Sequence, residues 1–163
     1  MFIELDSLFN QGINSIKLDY EFDFSAEEID GVFPFTTPVS LKGEIENTAG
    51  IVTVKAEINF VIETVCDRCA REVKVPFRFE MNHGLVSSLN DEENDDYILI
   101  EDMKLDIAQL TSEDIYLALP AKILCKEDCK GVCFTCGADL NDGPCGCKKE
   151  IDPRWAGLFD SED

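Results

Sequence analysis

The sequence predicts an α+β fold: a mainly antiparallel β-sheet body, one principal helix and a C-terminal cysteine-rich tail of zinc-knuckle type. Three observations predict it. Apolar and polar residues alternate through residues 16–24 and again across 39–62, the period-two pattern of half-buried strands. A capping signal at Asp106 opens a helical pattern that Pro120 closes. Six of the eight cysteines lie in one short run, CKEDCKGVCFTCGADLNDGPCGC, residues 125–147.

In chain order, MFIELDSLFNQG carries Glu4 and Asp6 where a signal peptide needs basic and then unbroken apolar residues. No apolar run approaches a membrane span. The expectation is a cytoplasmic protein without membrane contact, in a reducing compartment where close-set cysteines hold metal more often than disulfides. Ile16, Leu18, Tyr20, Phe22 and Phe24 then share one face of a strand, with Lys17, Asp19, Glu21 and Asp23 between them. Val39, Leu41, Gly43 and Ile45 alternate likewise, and Asn47-Thr-Ala-Gly50 reads as a hairpin turn. The return strand carries Val52, Val54, Ala56, Ile58, Phe60 and Ile62 and runs into Cys66.

Past Cys69, a further strand places Val73, Val75, Phe77 and Phe79 on one face, so Cys66-Asp-Arg-Cys69 is expected at a hairpin tip. Arg68, Arg71, Lys74 and Arg78 bring four of the chain's 14 cations to that region and are the candidate partner-binding residues. A solvated strand face accounts for Lys74 and Arg78 equally well. The run DEENDD, Asp91 to Asp96, lacks the alternating ligands and central glycine of a calcium loop and reads as solvated linker. Residues 97–101 make one more short strand. Asp106 and Gln109 have capping-box spacing, and the helix near 106–119 presents Ile107, Leu110, Ile115, Ala118 and Leu119 as its core stripe. Two regions follow: a β-rich body over 1–121 and a cysteine-rich zinc-binding tail over 122–163, packed on the body. In the tail, Asp152-Pro153 is a helix-start signal, and Trp155, Leu158 and Phe159 form a short apolar face.

Cys125-x3-Cys129 and Cys133-x2-Cys136 have the spacing with which two thiolates reach one tetrahedral ion. Cys145 and Cys147 form a tighter pair, and Gly137 follows the CFTC turn where positive φ lets backbone N–H groups point at sulfur. Six ligands do not divide by four, and Cys66 and Cys69 supply the remainder. Cys133, Cys136, Cys145 and Cys147 are the favoured local site, because GADLNDGP between the inner ligands is rich in turn formers. Cys66, Cys69, Cys125 and Cys129 then form a long-range site. Eight cysteines permit many partitions, and a disulfide or redox role is the alternative use of the same residues.

The formal net charge is −20. Six cations and six anions balance within residues 122–154, so the whole excess lies outside that segment. Most of the surface therefore repels nucleic acid, and a direct RNA contact has to use the hairpin-tip cations or the neutral knuckle.

LALP (117–120), CKEDCKGVC (125–133), CGADLN (136–141), CGC (145–147) and DPRWAGL (152–158) closely resemble the C-terminal signature of the YceD family, the large ribosomal RNA subunit accumulation proteins. The CDRC turn also fits. Phe134 stands where that family usually has Pro, and Val132 where it commonly has Leu; neither change removes a ligand. The resemblance implies a non-enzymatic role in keeping 23S ribosomal RNA or its precursor at normal levels. It also implies a gene beside one for a small basic large-subunit ribosomal protein.

The expected function is thus a ribosome-biogenesis factor with two structural Zn2+ sites. It binds ribosomal RNA or its precursor, either directly or through a basic large-subunit ribosomal protein, and takes no small-molecule substrate. A thiol-disulfide oxidoreductase and a zinc-ribbon module in transcription are the alternatives. A catalytic zinc keeps an open position and usually recruits His or carboxylate, whereas His83, the sole histidine, lies outside every cysteine cluster.

Overall fold

Strictly alternating sequence builds most of the first of two units. The computed structural model describes residues 1–10, 12–29, 31–87 and 97–147. One unit comprises Met1–Thr64 and Glu72–Lys122, and the other comprises Val65–Arg71 and the chain from Ile123. The elements are β1 (Phe2–Glu4), α1 (Asp6–Asn10), β2 (Ser15–Phe22), β3 (Val39–Thr48), β4 (Ile51–Val65), β5 (Glu72–Val86), β6 (Tyr97–Leu99), β7 (Lys104–Asp106) and α2 (Ile107–Ala118). The fold is α+β: a five-stranded sheet in the order β2-β3-β4-β5-β6, a two-stranded ribbon of β1 and β7, and one principal helix.

β2 ends at Phe22, two residues before the alternation does. There the Asp23 carboxylate accepts a hydrogen bond from the Ser25 N–H and starts a turn. β2 and β3 are antiparallel, as are β3 and β4. Residues 49 and 50 close the second hairpin with φ of 56° and 90°, the left-handed pair that suits the twist of a two-residue turn. Asn47 caps that turn by accepting from the Gly50 N–H. Gly43 lies opposite Ala56, and a Cβ there would fall 2.1 Å from the Lys55 carbonyl oxygen, so only glycine lets these strands approach.

Leu18, Val39, Leu41, Ile45, Val54, Ile58 and Ile62 are buried from the sheet, with Leu8 of α1 and Ile107 and Ile115 of α2. Phe22, Phe24, Phe35, Phe60 and Phe77 continue the core as a chain of ring contacts with centroids 5.3 to 6.1 Å apart. Such pairs add specificity to area burial.

Unlike β2, β3 and β4, β6 runs parallel to its neighbour β5, through Gly84↔Tyr97, Leu85↔Ile98 and Val86↔Leu99. A Cβ on Gly84 would lie 2.6 Å from the Tyr97 ring, so the glycine admits the aromatic that anchors this strand.

Asp106 caps α2, accepting from the Ala108 and Gln109 N–H groups, each at 3.2 Å. The reciprocal arm of a capping box, from the Asp106 N–H to the Gln109 side-chain oxygen, is not made, and the Gln109 amide nitrogen donates to Glu113. The core stripe also differs from the expected one. Ile107, Leu110 and Ile115 are buried, but Ala118 is exposed and Leu119 half-buried, because the helix stops at Ala118 and Leu119 turns extended ahead of Pro120. Thr111 and Asp114 take the inner positions, bonded to the Ile107 carbonyl and to His83 Nε2. Among the described residues no helix is long and apolar enough to cross a membrane. The Asp91–Asp96 run and the apolar face of Trp155, Leu158 and Phe159 lie outside the described residues.

Candidate metal centres

The second unit is assembled on the turn at residues 66–71. Ala70 donates its N–H to the Cys66 carbonyl and Cys66 donates to the Arg71 carbonyl, both at 2.8 Å, closing a tight loop with Ala70 in the left-handed region. The later segment binds to it at three levels. Asp67 and Ile123 exchange hydrogen bonds, N–H to carbonyl at 3.0 Å and N–H to carboxylate at 2.5 Å. Arg68 donates its guanidinium to the Cys129 carbonyl at 2.9 Å, and its own carbonyl accepts from the Val132 N–H. Gly131, at φ 74°, passes so close that a Cβ would sit 2.9 Å from the Arg68 oxygen.

These contacts bring Cys66, Cys69, Cys125 and Cys129 together, with all four sulfurs within 4.8 Å of one another. Cys66 Sγ is 3.7 Å from Cys129 Sγ, and Cys69 Sγ is 3.6 Å from Cys125 Sγ. A disulfide needs about 2.05 Å. Four thiolates around one tetrahedral zinc at about 2.3 Å are separated by about 3.8 Å, which the spacing fits. Cys66, Cys69 and Cys129 are buried, and the Asn141 amide donates to Cys129 Sγ at 3.4 Å.

The second group, Cys133, Cys136, Cys145 and Cys147, also has its sulfurs within 4.8 Å of one another. Its scaffold is the CFTC turn, where Gly137 at φ 73° donates to the Cys133 carbonyl and Cys133 donates to the Ala138 carbonyl, each at 2.8 Å. Cys136 is exposed and the other three are half-buried. The grouping is the favoured one among the partitions the sequence left open, and none of the eight cysteines is in a disulfide.

Backbone amides and crowding divide the acidities within each group. Burial pushes the Cys66 thiol up, but the N–H groups of Cys125, Arg68 and Cys69 outweigh it and hold Cys66 at about 6. The Cys136 and Thr135 N–H groups hold Cys133 at about 6 as well. Burial and the sulfurs of Cys129, Cys69 and Cys66 push Cys125 up to about 12, and the Cys136 sulfur, with burial, does the same to Cys147. Four thiols this close cannot all ionise unaided. A divalent cation removes the conflict, so each soft, all-sulfur donor set could hold a metal ion and is compatible with zinc.

The four candidate partner-binding cations each have a partner within their own unit. Arg68 lies on the Cys129 carbonyl, and Arg71 bridges Asp139 at 2.7 Å and Asp142 at 2.6 Å. Lys74 pairs with Glu63 at 2.6 Å, and Arg78 pairs with Glu57. The acids on β4 were findable, because strands meeting at a CDRC tip must bring their solvent faces side by side. Asn141 carried no such signal. It accepts from the Lys130 N–H, bonds Cys129 sulfur and donates to Asp139, tying the two cysteine groups to one loop. His83 joins neither group.

Residues 54–160, which include all eight cysteines, match the family described as large ribosomal RNA subunit accumulation protein YceD. The chain is 28% identical over 150 residues to the uncharacterized protein YlbN of Bacillus subtilis, covering 87% of each. It is 31% identical over 99 residues to the uncharacterized protein Rv2926c of Mycobacterium tuberculosis, covering 58% of this chain and 48% of that one. A 48-residue stretch is 40% identical to the chloroplastic large ribosomal RNA subunit accumulation protein YCED homolog 1 of Zea mays, covering 29% of this chain and 16% of that one. The chain spans about half the length of the mycobacterial relatives it matches. No solved structure matches it. With more than half of its residues inside the family match, the chain belongs to the YceD family.

Proposed function

We propose that this protein is a non-enzymatic, cytoplasmic ribosome-biogenesis factor that supports accumulation of 23S ribosomal RNA, and that it reaches the RNA through a basic large-subunit ribosomal protein. Family membership supports the pathway. Charge supports the route. The net charge is −20, and Arg68, Arg71, Lys74 and Arg78 already carry internal partners, so a phosphate backbone would have to displace those partners against a repulsive field. A basic protein meets the same field as attraction.

The observation that carries the non-enzymatic reading is the donor set. Cys66, Cys69, Cys125 and Cys129 would hold one zinc and Cys133, Cys136, Cys145 and Cys147 another, each with its four positions filled by sulfur. Such ions cross-link the chain; a catalytic zinc keeps a position for water or substrate. Crosslinking in cells, with identification of both RNA and protein, tests the route. Recovery of a basic large-subunit protein, together with RNA only when that protein is present, is expected. Direct RNA crosslinks at residues 68–78 would replace the protein-mediated route with direct binding.

A further inference from the structure

A second surface of the first unit has a defined chemistry. A groove of about 640 Å³ lies along β1, residues 98–106 and the start of α2. Leu105 and Leu110 are buried beneath it, while Phe2 at 69% exposure and Leu99 at 45% leave apolar surface open to solvent. Its lining carries Glu101, Asp102, Asp106 and Glu113 against one side-chain cation, Lys104, with Asp106 already held by the Met1 ammonium at 2.8 Å. Among the described residues neither Glu101 nor Asp102 has an ion-pair partner, unlike the acids of the sheet face at Glu46, Glu57 and Glu63. Asp102 and Met103 hold the rim in consecutive left-handed conformations, φ 51° and 54°, which non-glycine residues seldom adopt and which cluster at binding sites.

We propose that this groove docks an extended basic segment of a partner polypeptide, placing an apolar side chain on Phe2 and Leu99 and Lys or Arg on Glu101, Asp102 and Glu113. The inference rests on the basic-partner reading above and gives it a location. The rim repels phosphate, which disfavours nucleic acid there, and a second copy of a chain of charge −20 is repelled as a whole. An apolar floor beside Glu101 and Asp102, which have no ion-pair partner among the described residues, fits a positively charged, partly apolar peptide.

The test is fluorescence anisotropy of a fluorescein-labelled peptide of alternating lysine and leucine, titrated with the full chain. Three sets of variants are compared after circular dichroism shows each folded: Glu101→Gln/Asp102→Asn/Glu113→Gln; Leu99→Ser and Phe2→Ser singly; and a control, Glu21→Gln/Glu44→Gln/Glu80→Gln, whose residues do not line the groove. Asn suits the left-handed position at 102. The groove variants are expected to weaken binding about tenfold and the control less than about twofold. Equal losses in groove and control variants would show that only the overall field matters, overturning the groove while leaving the basic-partner reading intact. No binding by the unaltered chain would overturn both. A halved mass for Leu99→Ser in sedimentation would make the groove a self-interface and overturn the proposal.

Discussion

Asp67 and Ile123, 56 residues apart, are joined by two reciprocal hydrogen bonds, and this pair sets the cysteines on either side in register. Asp67→Ala removes the charge-assisted bond to the Ile123 N–H, a loss of about 1.5–3 kcal/mol. Its expected effect is faster metal transfer from Cys66, Cys69, Cys125 and Cys129 to a chromogenic chelator, with the other group unchanged. Equal acceleration from both groups would show that the pair does not position the first.

Cys66→Ser and Cys145→Ser should each lower the metal content by one ion but open different segments. Losing Cys66 should expose amides of residues 65–71 and 123–131 to hydrogen exchange, because that group closes a long loop. Losing Cys145 should loosen residues 131–147 alone. Identical exchange patterns would contradict the grouping.

Changing Arg68, Arg71, Lys74 and Arg78 together to Gln separates the two routes to RNA. The ion pairs of Arg71, Lys74 and Arg78 are exposed, and such pairs contribute about 1 kcal/mol or less each. The Arg68 bond to the Cys129 carbonyl contributes about 1.5–3 kcal/mol, so binding is compared once circular dichroism shows the variant folded. Freed of these cations, Asp139, Asp142, Glu63 and Glu57 should bind a basic ribosomal protein about two- to fivefold more tightly at low salt. A steep loss of RNA affinity with a shallower salt slope would instead mark direct binding.

After metal removal, stability should depend on pH through the split thiols. Cys66 and Cys133, held at about 6 against a usual 9.0, contribute stability that is complete above pH 9 and is lost as the pH falls through about 6. Cys125 and Cys147, raised to about 12, contribute in the opposite sense, and their share is lost as the pH rises from 9 through 12. Urea midpoints of the chelated protein should therefore peak near pH 9. A midpoint that falls steadily from pH 6 to 9 would refute the assignment.

Reading the sequence reached as far as its local periods did. Alternation from Ile16 to Phe22 and from Val52 to Ile62 located β2 and β4, because burial on one face imposes a period of two whatever the topology. Cysteine spacing identified the close pairs, because a tetrahedral centre needs paired ligands on short turns, and the turn formers between Cys136 and Cys145 favoured the grouping in which the sulfurs lie together. The ribbon of β1 and β7 was hidden, since three-residue strands carry too little pattern. The parallel seat of β6 depends on Tyr97 covering Gly84, a tertiary contact without a local signature. The β4 partners of Lys74 and Arg78 follow from the hairpin register, whereas the partners of Arg68 and Arg71, like the bonds of Asn141, take shape only when the knuckle folds onto the CDRC turn.

The most direct test of a zinc-stapled, non-redox factor is metal content measured together with thiol titration on protein purified without chelator. Two zinc ions per chain, no disulfide, and eight thiols that react fully only after the metal is removed are the predicted result. A disulfide that cycles reversibly with dithiol reductant, at one zinc or none per chain, would contradict it.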